Sequence, residues 1–184
     1  KTMTIAQRLY EGLDVGEDGT VGLITYMRTD SIRVSDEAKN QAKDYIVASY
    51  GREFVPRKPW EYNSKKSAQE AHEAVRPTAP SRNPETIKGL LGADEYALYR
   101  LIWNRFLASQ MSAALYDTTT ADIAAGKYEF RATGSIMKFR GFTILYEEAQ
   151  EPDEKKKDDD LDKEERRLPS LREGLALKLM SLDP

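Results

Sequence analysis

Cysteine is absent from the 184 residues, which excludes disulfide staples and any thiolate zinc site in this stretch. Histidine occurs once, at His72, without the His-Glu-x-x-His spacing of a helical zinc site. No run approaches the roughly 18–20 consecutive apolar residues of a bilayer span. No basic segment followed by an apolar stretch marks a secretory leader. A soluble intracellular chain, with no membrane partner, fits these absences. Charge of one sign is also scarce: the formal balance is only −3. Its distribution says more than the sum. Residues 1–146 carry 20 Lys+Arg against 18 Asp+Glu, whereas residues 147–167 carry 6 against 11. The acidity sits in one tract, and the mildly basic remainder permits contact with nucleic acid without demanding it.

What is present is enough to fold, with 40% hydrophobic and 9% aromatic residues for one ordinary core or two small ones. Ile5, Leu9 and Leu13 recur at helical spacing, and Gly12 is a C-cap for a helix opening at Thr2. Asp14–Thr20 is turn chemistry, and Val21–Tyr26 is a short β-prone run. Ser35 before Asp36 and Glu37 predicts an N-cap. The helix that follows carries Ala38, Ala42, Tyr45, Ile46 and Ser49 on one face and closes at Gly51. Ser67-Ala-Gln-Glu70 reads as a capping box opening a short helix over Gln69–Val75, which Pro77 ends. Asn83-Pro84 starts another. Asp94 is expected to cap the longest helix, Glu95 to about Ala114.

The pattern then changes to β-branched and aromatic runs at Tyr116–Ile123, Lys127–Thr133 and Phe142–Tyr146, separated by glycines, which predict an antiparallel meander. Leu175–Leu182 reads as one more strand. The fold class is therefore α+β. Residues 1–114 form a mostly helical domain, and 115–184 form part of a β-rich domain interrupted by a charged, solvated loop at 147–167.

Two segments carry candidate chemistry. In Gly22-Leu-Ile-Thr-Tyr-Met-Arg-Thr-Asp-Ser31, a period of two puts Tyr26 and Arg28 on the same side of an extended chain. A phenol, with an ordinary pKa near 10, is a poor nucleophile at neutral pH. A neighbouring guanidinium favours the phenolate and binds a phosphate oxygen, so the pair suits phosphoryl transfer. Thr29, Asp30 and Ser31 add short polar groups and a helix approach. On spacing alone, a Tyr-x-Arg is more often a packed ring beside a surface charge. In the second segment, Ser67–Thr78, the expected helix places Gln69, His72 and Arg76 on one side, where they could hold a phosphate. A surface helix with a half-exposed histidine is the blander alternative. Asp158–Asp162 has an Asp-x-Asp spacing, but no strand precedes it to aim the carboxylates at Mg²⁺.

Together, Ile24-Thr-Tyr-Met-Arg-Thr-Asp-Ser31 and Ala68-Gln-Glu-Ala-His-Glu-Ala-Val-Arg-Pro-Thr78 resemble the two signature blocks of type IA DNA topoisomerases, in order and at the expected separation. Ala6–Tyr10, Leu98–Trp103, Ser109–Met111 and the Leu168–Leu171 region also resemble the family pattern, so the likeness covers nearly the whole chain. Met27 favours the bacterial topoisomerase I branch; topoisomerase III-type members usually carry proline there and reverse gyrases histidine.

The resemblance implies that Tyr26 is the nucleophile on single-stranded DNA, that Arg28 positions the scissile phosphate, and that His72 is catalytic or DNA-binding near it. Thr29, Ser31, Gln69 and Arg76 are implied, more weakly, as DNA contacts. It further implies relaxation of negatively supercoiled DNA in the cytoplasm, at the nucleoid, by a monomer. Mg²⁺ would be held by a Toprim domain outside this stretch, leaving no metal ligand here. The stretch is thereby expected to be a piece covering most of domain III and part of domain II, whose partners are the remaining domains of the same polypeptide. A non-catalytic module that binds single-stranded DNA is the alternative.

Overall fold

The computed structural model describes residues 1–62, 72–146 and 167–181. They divide into two units, Lys1–Ala113 with Gly141–Glu148, and Ala114–Arg140 with Ala149–Pro184. The α+β class holds. The sequence of elements is α1 (Thr2–Glu11), β1 (Leu13–Asp14), β2 (Thr20–Val21), α2 (Asp36–Tyr50), α3 (Pro84–Ile87), α4 (Ala93–Gln110), β3 (Leu115–Ala125) and β4 (Tyr128–Phe139). Among the described residues no helix is long and apolar enough to cross a membrane.

The helices of the first unit begin and end where their caps dictate. Gly12 stops α1 at φ 125°, a backbone conformation that L side chains rarely adopt. The Ser35 hydroxyl accepts from the Ala38 amide at the start of α2, a cap that contributes about 1 kcal/mol. Asn83 caps α3, its side chain accepting from the Glu85 amide. α4 starts one residue before the expected cap: the Gly92 amide donates to the Glu95 carboxylate at 2.8 Å. Glu95 thus acts as the N3 acid of the helix, and Asp94 stays on the surface.

The core lies between α1, α2, α4 and the chain running from Leu23 to Met27. Leu9, Leu23, Ile24, Ala42, Ile46, Tyr99, Trp103, Leu107 and Met111 are all buried within it. The polar tips of the two large core aromatics are satisfied: the Tyr99 hydroxyl donates to the Arg82 carbonyl and the Trp103 indole to the Pro80 carbonyl.

Several expectations are corrected. The run from Val21 to Tyr26 is not one strand. β2 ends at Val21, and Ile24 forms an isolated antiparallel bridge with Pro77. The turn at Asp14–Thr20 is a tight hairpin in which Leu13 pairs with Val21. Within the described part of the expected 69–75 helix, His72–Val75 is not helical. Its amides and carbonyls are taken by distant strand-like partners instead, beginning with the Ala74 amide donating to the Arg33 carbonyl. The Ser67–Glu70 capping box and the charged tract up to Arg166 lie outside the described residues.

The expected third meander strand is also displaced. Gly141–Ile144 is a 3-10 turn belonging to the first unit, with Phe142 and Leu145 packed on its core. Gly141, at φ 51°, allows this; a Cβ there would lie 2.5 Å from the Ala113 backbone. The second unit keeps a two-stranded sheet, in which β3 and β4 pair from Leu115↔Phe139 to Ala125↔Tyr128 across a tight turn at Gly126 (φ 63°). Residues 175–181 form no strand.

One glycine decides how α1 meets the segment after β2. A Cβ on Gly22 would stand 2.6 Å from the Tyr10 carbonyl oxygen, a backbone atom. Next to it the Leu23 amide donates to the Leu9 carbonyl at 2.7 Å. Gly22→Ala is therefore expected to destabilise the first unit by about 1–3 kcal/mol, as overpacking against backbone does. Gly89→Ala, where a Cβ meets nothing within 4 Å, is the control, expected to stay within about 0.5 kcal/mol of wild type. Urea titrations followed at Trp103 check this; equal shifts for the two variants would refute the packing argument.

Candidate active site

The two signature segments lie side by side, joined through Thr25. Its amide donates to the Arg76 carbonyl at 2.9 Å. Its hydroxyl donates to the Ala74 carbonyl at 2.8 Å and accepts from the Arg76 amide at 2.9 Å. Thr78 closes the pairing, its amide donating to the Leu23 carbonyl and its hydroxyl to the Gly22 carbonyl. The backbone leading into Tyr26 is thus held by hydrogen bonds spanning about fifty positions of sequence.

On this support the side chains alternate. Met27 is buried, whereas Tyr26 and Arg28 are exposed on either side of it, so the two expected partners leave the backbone toward solvent together. The Tyr26 ring is 51% exposed, which decides against a sealed structural ring. It meets the Tyr10 ring edge-on, with centroids 5.4 Å apart and planes at 70°, a favourable aromatic geometry.

Arg28 is not free. Its guanidinium lies 2.9 Å from one carboxylate oxygen of Asp30, while the other oxygen is 2.8 Å from Nε2 of His72. Asp30 therefore joins the two expected site residues. The His72 contact has ion-pair distance rather than the alignment of a hydrogen bond. Nδ1 of the same ring donates to the Glu73 carbonyl at 3.0 Å. Both ring nitrogens thus face oxygens. Desolvation pushes the Asp30 carboxyl up, but the Arg28 charge, its own backbone amide and His72 outweigh this and hold it below its ordinary 3.8.

Arg76 plays a bracing part. It is mostly buried, its Nε donates to Glu73 at 2.7 Å and a terminal nitrogen to the Pro77 carbonyl at 3.0 Å. Glu73 also accepts from the Ser35 amide at 2.9 Å, tying the second segment to the start of α2. Burial raises the Glu73 carboxyl, yet the Ser35 and Arg76 hydrogen bonds and the Arg76 charge bring it below its ordinary 4.5. Ser31 is buried and accepts from the Arg33 amide; Thr29 is exposed; Gln69 lies outside the described residues.

Tyr10 was not among the residues expected to form the site, and Asp30 was expected only to add a short polar group beside Tyr26 and Arg28. Asp30 had a signal: it continues the period-two series of Tyr26 and Arg28. Tyr10 had none beyond its place in the opening helix. No group of three or more His, Cys, Asp or Glu able to hold a metal ion occurs among the described residues. Asp30 and Glu73 are already turned toward cations. The residues in hand do not fit a magnesium site.

With this geometry in view, the likeness to known proteins can be placed. Residues 1–183 match the family model described as DNA topoisomerase. The chain belongs to the bacterial type IA DNA topoisomerase family. It is also similar to the full-length topoisomerase I of Thermotoga maritima, at 41% identity with a TM-score of 0.67. That match covers 82% of this chain and 24% of the Thermotoga chain, so the chain spans about a quarter of its matched relative's length.

The Glu73 clamp has a defined pH signature. A carboxylate lowered by folding contributes stability that is complete above its ordinary 4.5 and is lost as pH falls through the lowered folded value. Glu73→Gln is expected to cost about 1–3 kcal/mol at neutral pH, and its stability should converge on wild type as pH drops below 4.5. Denaturant midpoints measured across that range check the point; curves that stay parallel would remove Glu73 from the clamp.

Proposed function

We propose that this segment supplies the nucleophile of a type IA topoisomerase that relaxes negatively supercoiled DNA by transient single-strand cleavage. The Tyr26 phenolic oxygen attacks a backbone phosphorus of single-stranded DNA. The new P–O bond to tyrosine forms as the P–O3′ bond breaks, the phenolic proton is lost, and the leaving 3′-oxygen gains a proton. One strand end is then a 5′-phosphotyrosine and the other a free 3′-hydroxyl. Reversal reseals the strand after another has passed, and no ATP is needed because one phosphodiester has been exchanged for another.

The observation that carries this reading is an exposed phenol on a backbone pinned just before it, next to an arginine whose guanidinium is held by Asp30. Preorganised cations aimed at developing phosphate charge supply a large share of catalysis in such transfers. Arg28, about half exposed, can keep its bond to Asp30 while its other nitrogens face a phosphate. His72 faces the same carboxylate and stands as a second contact near the phosphate. Thr29 and Gln69 stand as further DNA contacts, whereas Ser31 and Arg76 act by bracing the backbone. Magnesium would be held by a Toprim domain elsewhere in the polypeptide, where it would neutralise phosphate charge. The segment alone is inactive, and the intact enzyme works as a monomer at the nucleoid.

Tyr26→Phe in the intact polypeptide is expected to abolish both relaxation of supercoiled plasmid and the covalent adduct on a labelled single-stranded oligonucleotide. An adduct surviving in that variant would end the assignment and leave the non-catalytic binding module. Arg28→Lys, which replaces a planar fork by a point charge, is expected to lower cleavage by about tenfold or more. An unchanged cleavage yield would take Arg28 out of the mechanism.

A further inference from the structure

A second cluster of aromatic and cationic side chains is built from elements the Tyr26 site does not use. Trp60 and Tyr62 follow the 3-10 turn Arg52–Phe54 and lie against the end of α4. The Trp60 indole N–H donates to the Met111 carbonyl at 2.8 Å, and the Tyr62 hydroxyl donates to the Ser109 carbonyl at 2.6 Å. These carbonyls belong to the last turn of α4, where a helix leaves acceptors without intrahelical partners. Both polar tips are thereby tethered while the rings stay open to solvent, 46% and 52% exposed. Large aromatics recruited only for packing turn their faces inward.

Cations surround them. Arg105, four residues before Ser109 on α4, acts electrostatically on the Tyr62 phenol and sets its guanidinium 4.8 Å from the centre of the Tyr146 ring. Arg57 and Lys58, both exposed, precede Trp60, with Glu61 the one acid between the two rings. Exposed rings beside cations are the composition with which proteins hold unpaired nucleic-acid strands, bases on rings and phosphates on cations. A duplex keeps its base faces stacked inside, and an apolar protein partner gains nothing from the cations.

We propose that Trp60, Tyr62 and Arg105, with Arg57 and Lys58, form a second contact for single-stranded DNA. Unpaired bases stack on the two rings, and the cations hold the flanking phosphates. This rests on the reading that the chain handles single strands, and extends it to a surface that would guide the strand outside the point of cleavage.

The chain carries its own probe. Trp60 is one of two tryptophans, and the other, Trp103, is buried, so quenching of tryptophan emission reports this surface. Titrating the 184-residue chain with a thymidine oligonucleotide is expected to quench Trp60 to saturation. Tyr62→Ala should weaken binding about tenfold, whereas Tyr62→Phe, which keeps the ring, should stay within about threefold of wild type. Arg105→Gln, at an exposed position, should flatten the salt dependence by about 0.7 of a log unit per log unit of salt. A duplex of the same length should compete poorly. Absence of quenching, affinity unchanged in both Tyr62→Ala and Arg105→Gln, or equal competition by duplex would each overturn the proposal. The Tyr26 adduct assay, run on the intact polypeptide, is an independent readout. An adduct that forms while quenching fails sinks this surface alone, and quenching without an adduct sinks the nucleophile assignment alone.

Discussion

The site depends on the pairing made by Thr25. One residue supplies a backbone donor, a side-chain donor and a side-chain acceptor to the segment that carries His72 and Arg76. Without that pairing the two signature blocks would be two surface loops, each with an isolated polar residue. With it, a tyrosine and a histidine 46 positions apart in sequence share one patch. The closure of such a loop has an entropic cost that grows only slowly with length. A handful of buried hydrogen bonds at about 1 kcal/mol each, together with the burial of Leu23 and Ile24, can offset it. The packing of α1 reinforces the same segment from the other side, where the glycine at position 22 lets two backbones approach more closely than any side chain would permit.

Much of this scaffold was legible because it follows local rules. The stop at Gly12, the Ser35 and Asn83 caps and the β3–β4 hairpin depend on residues within a few positions of one another. The errors fall where distant partners override local preference. The helical pattern around His72 yielded to strand-like pairing because Thr25 and Arg33 offered backbone partners that no local window contains. The β-prone Phe142–Tyr146 run became a core-packed turn because Gly141 could approach the backbone of Ser112 and Ala113.

The site divides along the same line. Tyr26 and Arg28 were readable from alternation, and the burial of Met27 between them is the physical counterpart of that pattern. The bridge from Arg28 through Asp30 to His72, and the clamp from Glu73 to Ser35, cross 42 and 38 positions respectively. Period-two reasoning could reach Asp30 but could not supply its second partner.

An acid at a site built for an anion looks at first like an error, because a carboxylate beside a phosphate is repulsive. The geometry answers this through charge balance. Asp30 faces the Arg28 guanidinium with one oxygen and the His72 ring with the other, so its negative charge is offset by the arginine it holds. Removing the acid would release a half-exposed arginine to sample many rotamers. A cation that must meet a phosphate in one orientation is more useful held than free, because the ordering has already been done before the strand arrives. The phenol itself is half exposed and rests edge-on against Tyr10, which in the proposed reading leaves its oxygen open to a phosphorus while the residues around it are held.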